Sequence, residues 1–135
     1  MKGVDTNVLV RYLVRDDPAM AERAEEFLEG ECLPHDPCMV NRIVLAEMAW
    51  VLRRTYRYER DEIATALDMI MRTDRFVVEN EAASMTALDS YRDGSADFAD
   101  RLIAETNVVL GCSETATFDR AAGRHPHFRY IGDSK

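Results

Sequence analysis

From residue 7 onward, apolar side chains recur at intervals of three and four, broken by short apolar runs with no helical period. Val8, Leu9, Tyr12 and Leu13 share one side of a helix expected over residues 7–14. Asp17-Pro18 is a helix start, with aspartate as N-cap and proline in the first turn. Met20, Ala24, Phe27 and Leu28 then keep helical spacing up to a stop at Gly30. A third helix is expected over about residues 41–54. Asp61 is the expected cap of a fourth, whose Ile63, Leu67, Ile70 and Met71 share a face. Two more are expected over about residues 80–91 and 95–107. Residues 3–5, 38–40, 76–78, 114–117 and 129–131 read as short strands. Strands that alternate with amphipathic helices predict an α/β domain with a mainly parallel sheet. Ligands of such sheets sit beyond the carboxyl ends of the strands, so polar residues just after a strand are where chemistry is expected.

The 135 residues suit a single domain spanning residues 1–135, able to bury roughly two-thirds of its unfolded surface without help from disulfides or metal. Apolar residues make up 47% and charged residues 31%, which excludes a disordered chain. The opening Met1-Lys2-Gly3-Val4-Asp5 has no apolar leader, and Arg11 interrupts Val8-Leu9-Val10, so no membrane span is expected. Three cysteines, Cys32, Cys38 and Cys112, contain no Cys-x-x-Cys pair and read as reduced thiols in a cytoplasmic protein. The net charge of -8 argues against a general nucleic-acid binder, whose affinity comes from basic surface. It argues much less against a metallonuclease, because cations held by converging carboxylates offset the deficit.

Five acids carry the candidate chemistry. Asp5 follows the first strand in Asp5-Thr6-Asn7, a place that suits either a helix cap or a ligand. Phosphatases of the haloacid dehalogenase type need a second aspartate two residues on, and that position is Asn7. Glu47 falls, at 100° per residue, among Ile43, Val44, Trp50 and Val51. A carboxylate in an apolar stripe needs a partner, either a metal-holding cleft or Arg54 two turns on. Asp97 and Asp100 stand three apart on one side of a helix, where the helix dipole favours acids whatever their function. Asp119 follows a strand as Asp5 does, and a turn aspartate is its ordinary reading. His35, His125 and His127 share no motif with a partner, which argues against a histidine-based ribonuclease. Cys32, His35 and Cys38 make a poor zinc site. Arg11, Arg15, Arg42, Arg101 and Arg120 lie near these motifs and are candidates to bind phosphates, but in so charged a chain solvation or pairing with an acid is the more ordinary expectation.

In order and spacing, Val4-Asp5-Thr6-Asn7-Val8-Leu9-Val10-Arg11, Val44-Leu45-Ala46-Glu47, Ala96-Asp97-Phe98-Ala99-Asp100 with Leu102-Ile103-Ala104, and Thr117-Phe118-Asp119 resemble the PIN-domain toxins of the VapC family. The resemblance covers nearly the whole chain. It implies a central, mainly parallel sheet of about five short strands with helices on both faces. It also implies an Mg²⁺-dependent endoribonuclease, with Mn²⁺ as a substitute, acting as the toxin of a type II toxin–antitoxin system. Asp5, Glu47, Asp100 and Asp119 match the family's acidic cluster, and Asp97 an additional acid. Asp5 and Asp100 are the implied direct metal ligands. Asn41 departs from the serine or threonine common near the start of that helix. The implied partners are a tRNA or rRNA substrate, a cognate VapB-type antitoxin and a second copy of the chain. The competing reading is a PIN-like binding or regulatory module with little catalysis. A receiver domain is disfavoured, since the Asp5 segment lacks a second acid and the only lysines are Lys2 and Lys135.

Overall fold

In the computed structural model, which describes residues 1–133, helix capping follows the sequence closely at three places. Lys135 lies outside the described residues. Asp5 caps α1 (Thr6–Val14), Asp17 caps α2 (Pro18–Glu31) through the Met20 amide at 3.2 Å, and Asn41 caps α3 (Arg42–Arg54) through the Val44 amide at 2.9 Å. The fourth cap differs from expectation. Glu59 begins α4 (Arg60–Arg72) in a reciprocal capping box with Glu62, and Asp61 lies inside the first turn. Two residues earlier than expected, the chain finds a box that satisfies two amides where Asp61 would satisfy one.

The chain divides into two compact units, Met1–Glu81 and the residues from Ala82 onward. In the first, β1 (Cys38–Val40) pairs in parallel with β2 (Phe76–Val78), Met39 opposite Val77. The expected opening strand is reduced to one parallel bridge, Gly3 to Met39, with Val4 N–H donating to Met39 O and Met39 N–H to Lys2 O. Asp5 turns the chain into α1 directly afterwards, so no longer strand forms. Helix α1 packs on α2 and α3, and α3 on α4. Leu9, Leu28, Val40, Leu45, Met48, Leu52 and Leu67 are buried there. The Arg75 guanidinium donates to the carbonyls of Leu28 (3.1 Å) and Cys32 (3.0 Å), closing the end of α2 from across the unit.

Cys32 and Cys38 form a disulfide, and only Cys112 is free among the described residues. This corrects the expectation of three reduced thiols. Leu33 and Asp36 exchange backbone hydrogen bonds, folding the intervening residues into a tight turn. The turn brings Cys32, at the end of α2, to a Cα separation of 5.2 Å from Cys38 at the start of β1, a separation a disulfide spans without distortion. The thiol-based argument for a reducing compartment therefore falls away. No helix of the described residues is long and apolar enough to cross a membrane.

The second unit holds α5 (Glu81–Asp93, its first residue in the first unit), α6 (Phe98–Val109), β3 (Thr115–Thr117) and β4 (Phe128–Tyr130). Strands β3 and β4 are parallel, with Ala116 opposite Arg129 and a single 3-10 turn, Ala122–Arg124, between them. Ala96, Ala104, Ala122 and Phe128 form one buried cluster. Tyr91 and Phe98 meet edge to face at 5.9 Å between ring centroids. Among the described residues, four strands in two parallel pairs are fewer than the five expected, but the α/β alternation and the parallel pairing are as expected.

Candidate active site

In the first unit the two candidate acids are linked through a residue that is not itself an acid. Asp5 is exposed, and its Oδ1 accepts the Thr6 amide at 2.8 Å. The Thr6 side chain points inward, only 3% exposed, and its hydroxyl donates to Glu47 Oε1. The α1 N-terminus is thereby tied to the middle of α3, so Asp5 and Glu47 belong to one neighbourhood. Helix geometry alone could not have found Thr6, although its place directly after Asp5 marked the segment.

Glu47 is exposed, which overturns the burial argument made for it. The core stripe of α3 is Val44, Leu45, Met48, Ala49 and Leu52. Ile43 and Trp50, which flank Glu47 along the helix, face outward with it at 77% and 58% exposure. Arg54 does not pair with Glu47; its guanidinium lies over the Trp50 ring, 5.3 Å from the centroid.

In the second unit, Asp97 is the N-cap residue of α6, yet its side chain makes no capping hydrogen bond. Its carboxylate is exposed and uncommitted to the helix. Asp100, in the first turn, is half-buried. Burial raises its carboxyl above the ordinary aspartate range, and the charges of Asp119 and then Asp97 raise it further. Arg101 and a hydrogen bond from the Asp97 backbone act in the opposite direction and are outweighed. Asp119 follows β3, as expected, and its Oδ1 accepts the Ala122 amide at 3.0 Å, fixing the turn. Asp97 and Asp119 are thus each close enough to Asp100 to repel its carboxylate.

Among the described residues, no three histidine, cysteine, aspartate or glutamate side chains gather at metal-holding spacing. Mg²⁺ asks for less. It takes oxygen donors, keeps several waters and is commonly held by one or two carboxylates. All five candidates supply oxygen only, and the mutual repulsion around Asp100 is the condition that a bound cation relieves. The donor set therefore fits Mg²⁺ or Mn²⁺.

The remaining candidates separate cleanly. The His125 pKa is lowered, first by burial and then by Arg101 and His127, so that ring is neutral at neutral pH. His127 stands 3.9 Å from the buried Glu105. The disulfide removes Cys32 and Cys38 as zinc ligands. Arg11 pairs with Asp16 (3.5 Å), Arg15 with Glu25 (3.0 Å) and Arg42 with Glu79 (3.3 Å). Arg120 covers the Tyr130 ring and donates to the Asp133 carbonyl, and Arg101 is buried. Arg11, Arg15 and Arg42 are thus paired with acids as expected, whereas Arg101 is buried and not solvated.

The model of the PIN domain family matches residues 3–127, a span that contains all five acids. A VapC ribonuclease from Aquifex aeolicus (strain VF5) is 27% identical over 120 residues, covering 89% of this chain and 88% of that protein. No solved structure matches the chain.

Proposed function

Because the chain belongs to the PIN domain family, we propose that it is a metal-dependent endoribonuclease and the toxin of a type II toxin–antitoxin system. The observation that carries the proposal is the Asp100 carboxyl, half-buried and pushed up by Asp119 and Asp97. Two acids at the start of α6 with the charge of a third, after β3, acting on one of them are costly without a cation and useful with one. The VapC ribonuclease likeness supports RNA as the substrate.

We take Asp5 and Asp100 as the residues that would serve as Mg²⁺ ligands, and Asp97, Asp119 and Glu47 as carboxylates that would accept hydrogen bonds from water. A divalent cation held by such carboxylates would supply a lower pKa to a water and offset charge on the phosphate oxygens. Glu47 has Oε1 occupied by the Thr6 hydroxyl, which leaves Oε2 to take the proton of the attacking water. Asp119 is held by the Ala122 amide and Asp5 by the Thr6 amide, so both carboxylates are oriented before substrate arrives. Water attacks phosphorus in line, the bond to the 3′ oxygen breaks, and that oxygen takes up a proton. The products are a 5′-phosphate and a 3′-hydroxyl, and the neighbouring 2′-hydroxyl is not needed.

The test compares wild type with Asp5→Asn on total RNA, in Mg²⁺ and in EDTA, and maps product ends. Cleavage by wild type in Mg²⁺ alone, with 5′-phosphate ends, is the expected result. Ends carrying 2′,3′-cyclic phosphate overturn the mechanism, and equal cleavage in every arm points to a contaminant. A wild type inactive on every RNA favours the alternative, a binding or regulatory module. The same likeness leads us to propose a VapB-type antitoxin and a homodimer, checked by co-purification and by sedimentation of the free toxin.

A further inference from the structure

An acidic chain with 25 Asp and Glu against 17 Lys and Arg nevertheless concentrates base and aromatic rings in one place. Trp50-Val51-Leu52-Arg53-Arg54-Thr55-Tyr56-Arg57-Tyr58-Glu59-Arg60 holds four arginines and three aromatic residues against a single acid. The segment runs from the last turns of α3 into the start of α4. Its turn is built, not loose. Arg53 donates to the Tyr58 carbonyl at 3.1 Å and approaches Glu59 at 3.9 Å. The Tyr56 hydroxyl is hydrogen-bonded to Asp16. Arg57 holds the left-handed backbone conformation at φ 57, reversing the chain. Within this frame Arg54 and Arg57 are exposed, and among the described residues neither has a carboxylate partner. Arg54 is instead stacked over Trp50.

Position along α3 gives the patch its meaning. Ile43, Glu47, Trp50 and Arg54 lie within about 60° of one another around the helix, at 100° per residue. Trp50 stands about 4.5 Å beyond Glu47 along the axis and Arg54 about 6 Å beyond Trp50. Those steps are comparable to the spacing of successive nucleotides, about 3.4 Å when stacked and more when extended. An exposed indole backed by a guanidinium is a stacking platform for any base, and flanking arginines hold the phosphates. A protein partner would have to bury Glu47, Arg54 and Arg57 together with the indole. A single strand of RNA is complementary to the two free cations and needs only the ring.

We propose that Trp50, with Arg54 and Arg57, forms a subsite for single-stranded RNA that stacks one unpaired base next to the phosphate cleaved at Glu47. The proposal rests on the endoribonuclease reading and assigns how that enzyme selects unpaired RNA. It also bears on how a chain of net charge -8 engages a polyanion: four of its 17 Lys and Arg fall within the eleven residues from Trp50 to Arg60.

Trp50 is the protein's single tryptophan, so its fluorescence reports the subsite directly. The Asp100→Asn variant in Mg²⁺ is titrated with an unpaired 12-nucleotide RNA, with the same sequence as a duplex, and with inorganic polyphosphate. Quenching by the single strand alone is expected; equal quenching by the duplex or by polyphosphate overturns base stacking. In parallel, fluorescence anisotropy of the labelled single strand is expected to show Trp50→Ala binding weakened about tenfold. Trp50→Phe should recover most of that loss, and Arg54→Gln with Arg57→Gln should flatten the salt dependence by about two units of slope. In an otherwise wild-type background, Trp50→Ala should raise KM on unpaired RNA with kcat little changed. If wild type cleaves RNA while Trp50→Ala binds and cleaves normally, the subsite fails and the nuclease stands. If the single strand quenches Trp50 but wild type cleaves nothing, the nuclease fails and the binding subsite stands. A Trp50→Ala variant unchanged toward RNA but shifted in sedimentation makes this face a protein interface and overturns the proposal.

Discussion

Thr6→Val isolates the contact on which the first half of the site depends. Valine keeps the shape and burial of Thr6 and removes only the hydroxyl that donates to Glu47. A hydrogen bond to a charged acceptor contributes about 1.5–3 kcal/mol when both groups lose water. Glu47 is exposed, so water replaces the lost donor and the expected loss of stability is about 1 kcal/mol. For a chain of this length that is a fall of roughly 3 °C in Tm, or an equivalent shift of the urea midpoint at unchanged m-value. The catalytic effect is larger than the structural one if Glu47 must be held for proton transfer. Freed to rotate, it should lower kcat about tenfold or more, since each 1.4 kcal/mol in the transition state is a factor of ten. Thr6→Ser keeps the donor and removes a methyl group. It should retain kcat while losing about 1 kcal/mol of stability to the cavity. Urea denaturation and single-turnover cleavage of one RNA oligonucleotide measure both effects. Equal kcat for Thr6→Val and wild type, or an equal loss for Thr6→Ser and Thr6→Val, refutes the orienting role.

Other expectations follow from the same geometry. Asp100 holds its proton more tightly folded than unfolded, so its contribution to stability falls as pH rises from the ordinary aspartate range through its raised pKa. Asp100→Asn without metal should therefore be more stable than wild type at pH 7 and equal to it below the carboxylate range, and Mg²⁺ should stabilise wild type more than the variant; thermal denaturation across pH reads both. Glu79 behaves in the opposite sense, its pKa lowered first by the Arg42 amide and then by the Arg42 side chain, so its stabilisation is present above the ordinary glutamate range and lost as pH falls. Glu79→Gln should flatten the acid limb of stability against pH. The Cys32–Cys38 disulfide closes a loop with a sequence separation of 6, for which chain entropy gives about 2 kcal/mol. Thiol titration in denaturant should count one free cysteine before reduction and three after it, and the Cys32→Ala, Cys38→Ala double variant should unfold at lower urea.

Where a local signal was sufficient, the sequence was a good guide. Asp17-Pro18 and Asn41 start helices because capping depends on neighbouring amides alone. The long-range contacts were invisible for the same reason: Arg75 closes α2 from more than forty residues away, and Thr6 reaches Glu47 across 41 positions. Helical period correctly grouped Ile43, Glu47 and Trp50, but hydropathy could not tell which way the group faced. The stripe led by Leu45 and Met48 was the buried one, and an apolar pair beside a carboxylate turned out to be surface. Cys32 and Cys38 were misread because spacing of cysteines carries no information about the turn made by Leu33 and Asp36. Asp97, Asp100 and Asp119 were legible as an order of acids; the pressure they exert on Asp100 needed coordinates.

We propose that Asp100, with the acids whose charges act on it, serves RNA cleavage by holding a divalent cation. The most direct test of this central claim is the rate of cleavage of one RNA oligonucleotide against Mg²⁺ concentration, for wild type and Asp100→Asn. Saturable activation of wild type, abolished by EDTA, and a rate at least a hundredfold lower for the variant at every concentration are expected. Cleavage by Asp100→Asn at the wild-type rate, or by wild type undiminished in EDTA, contradicts it.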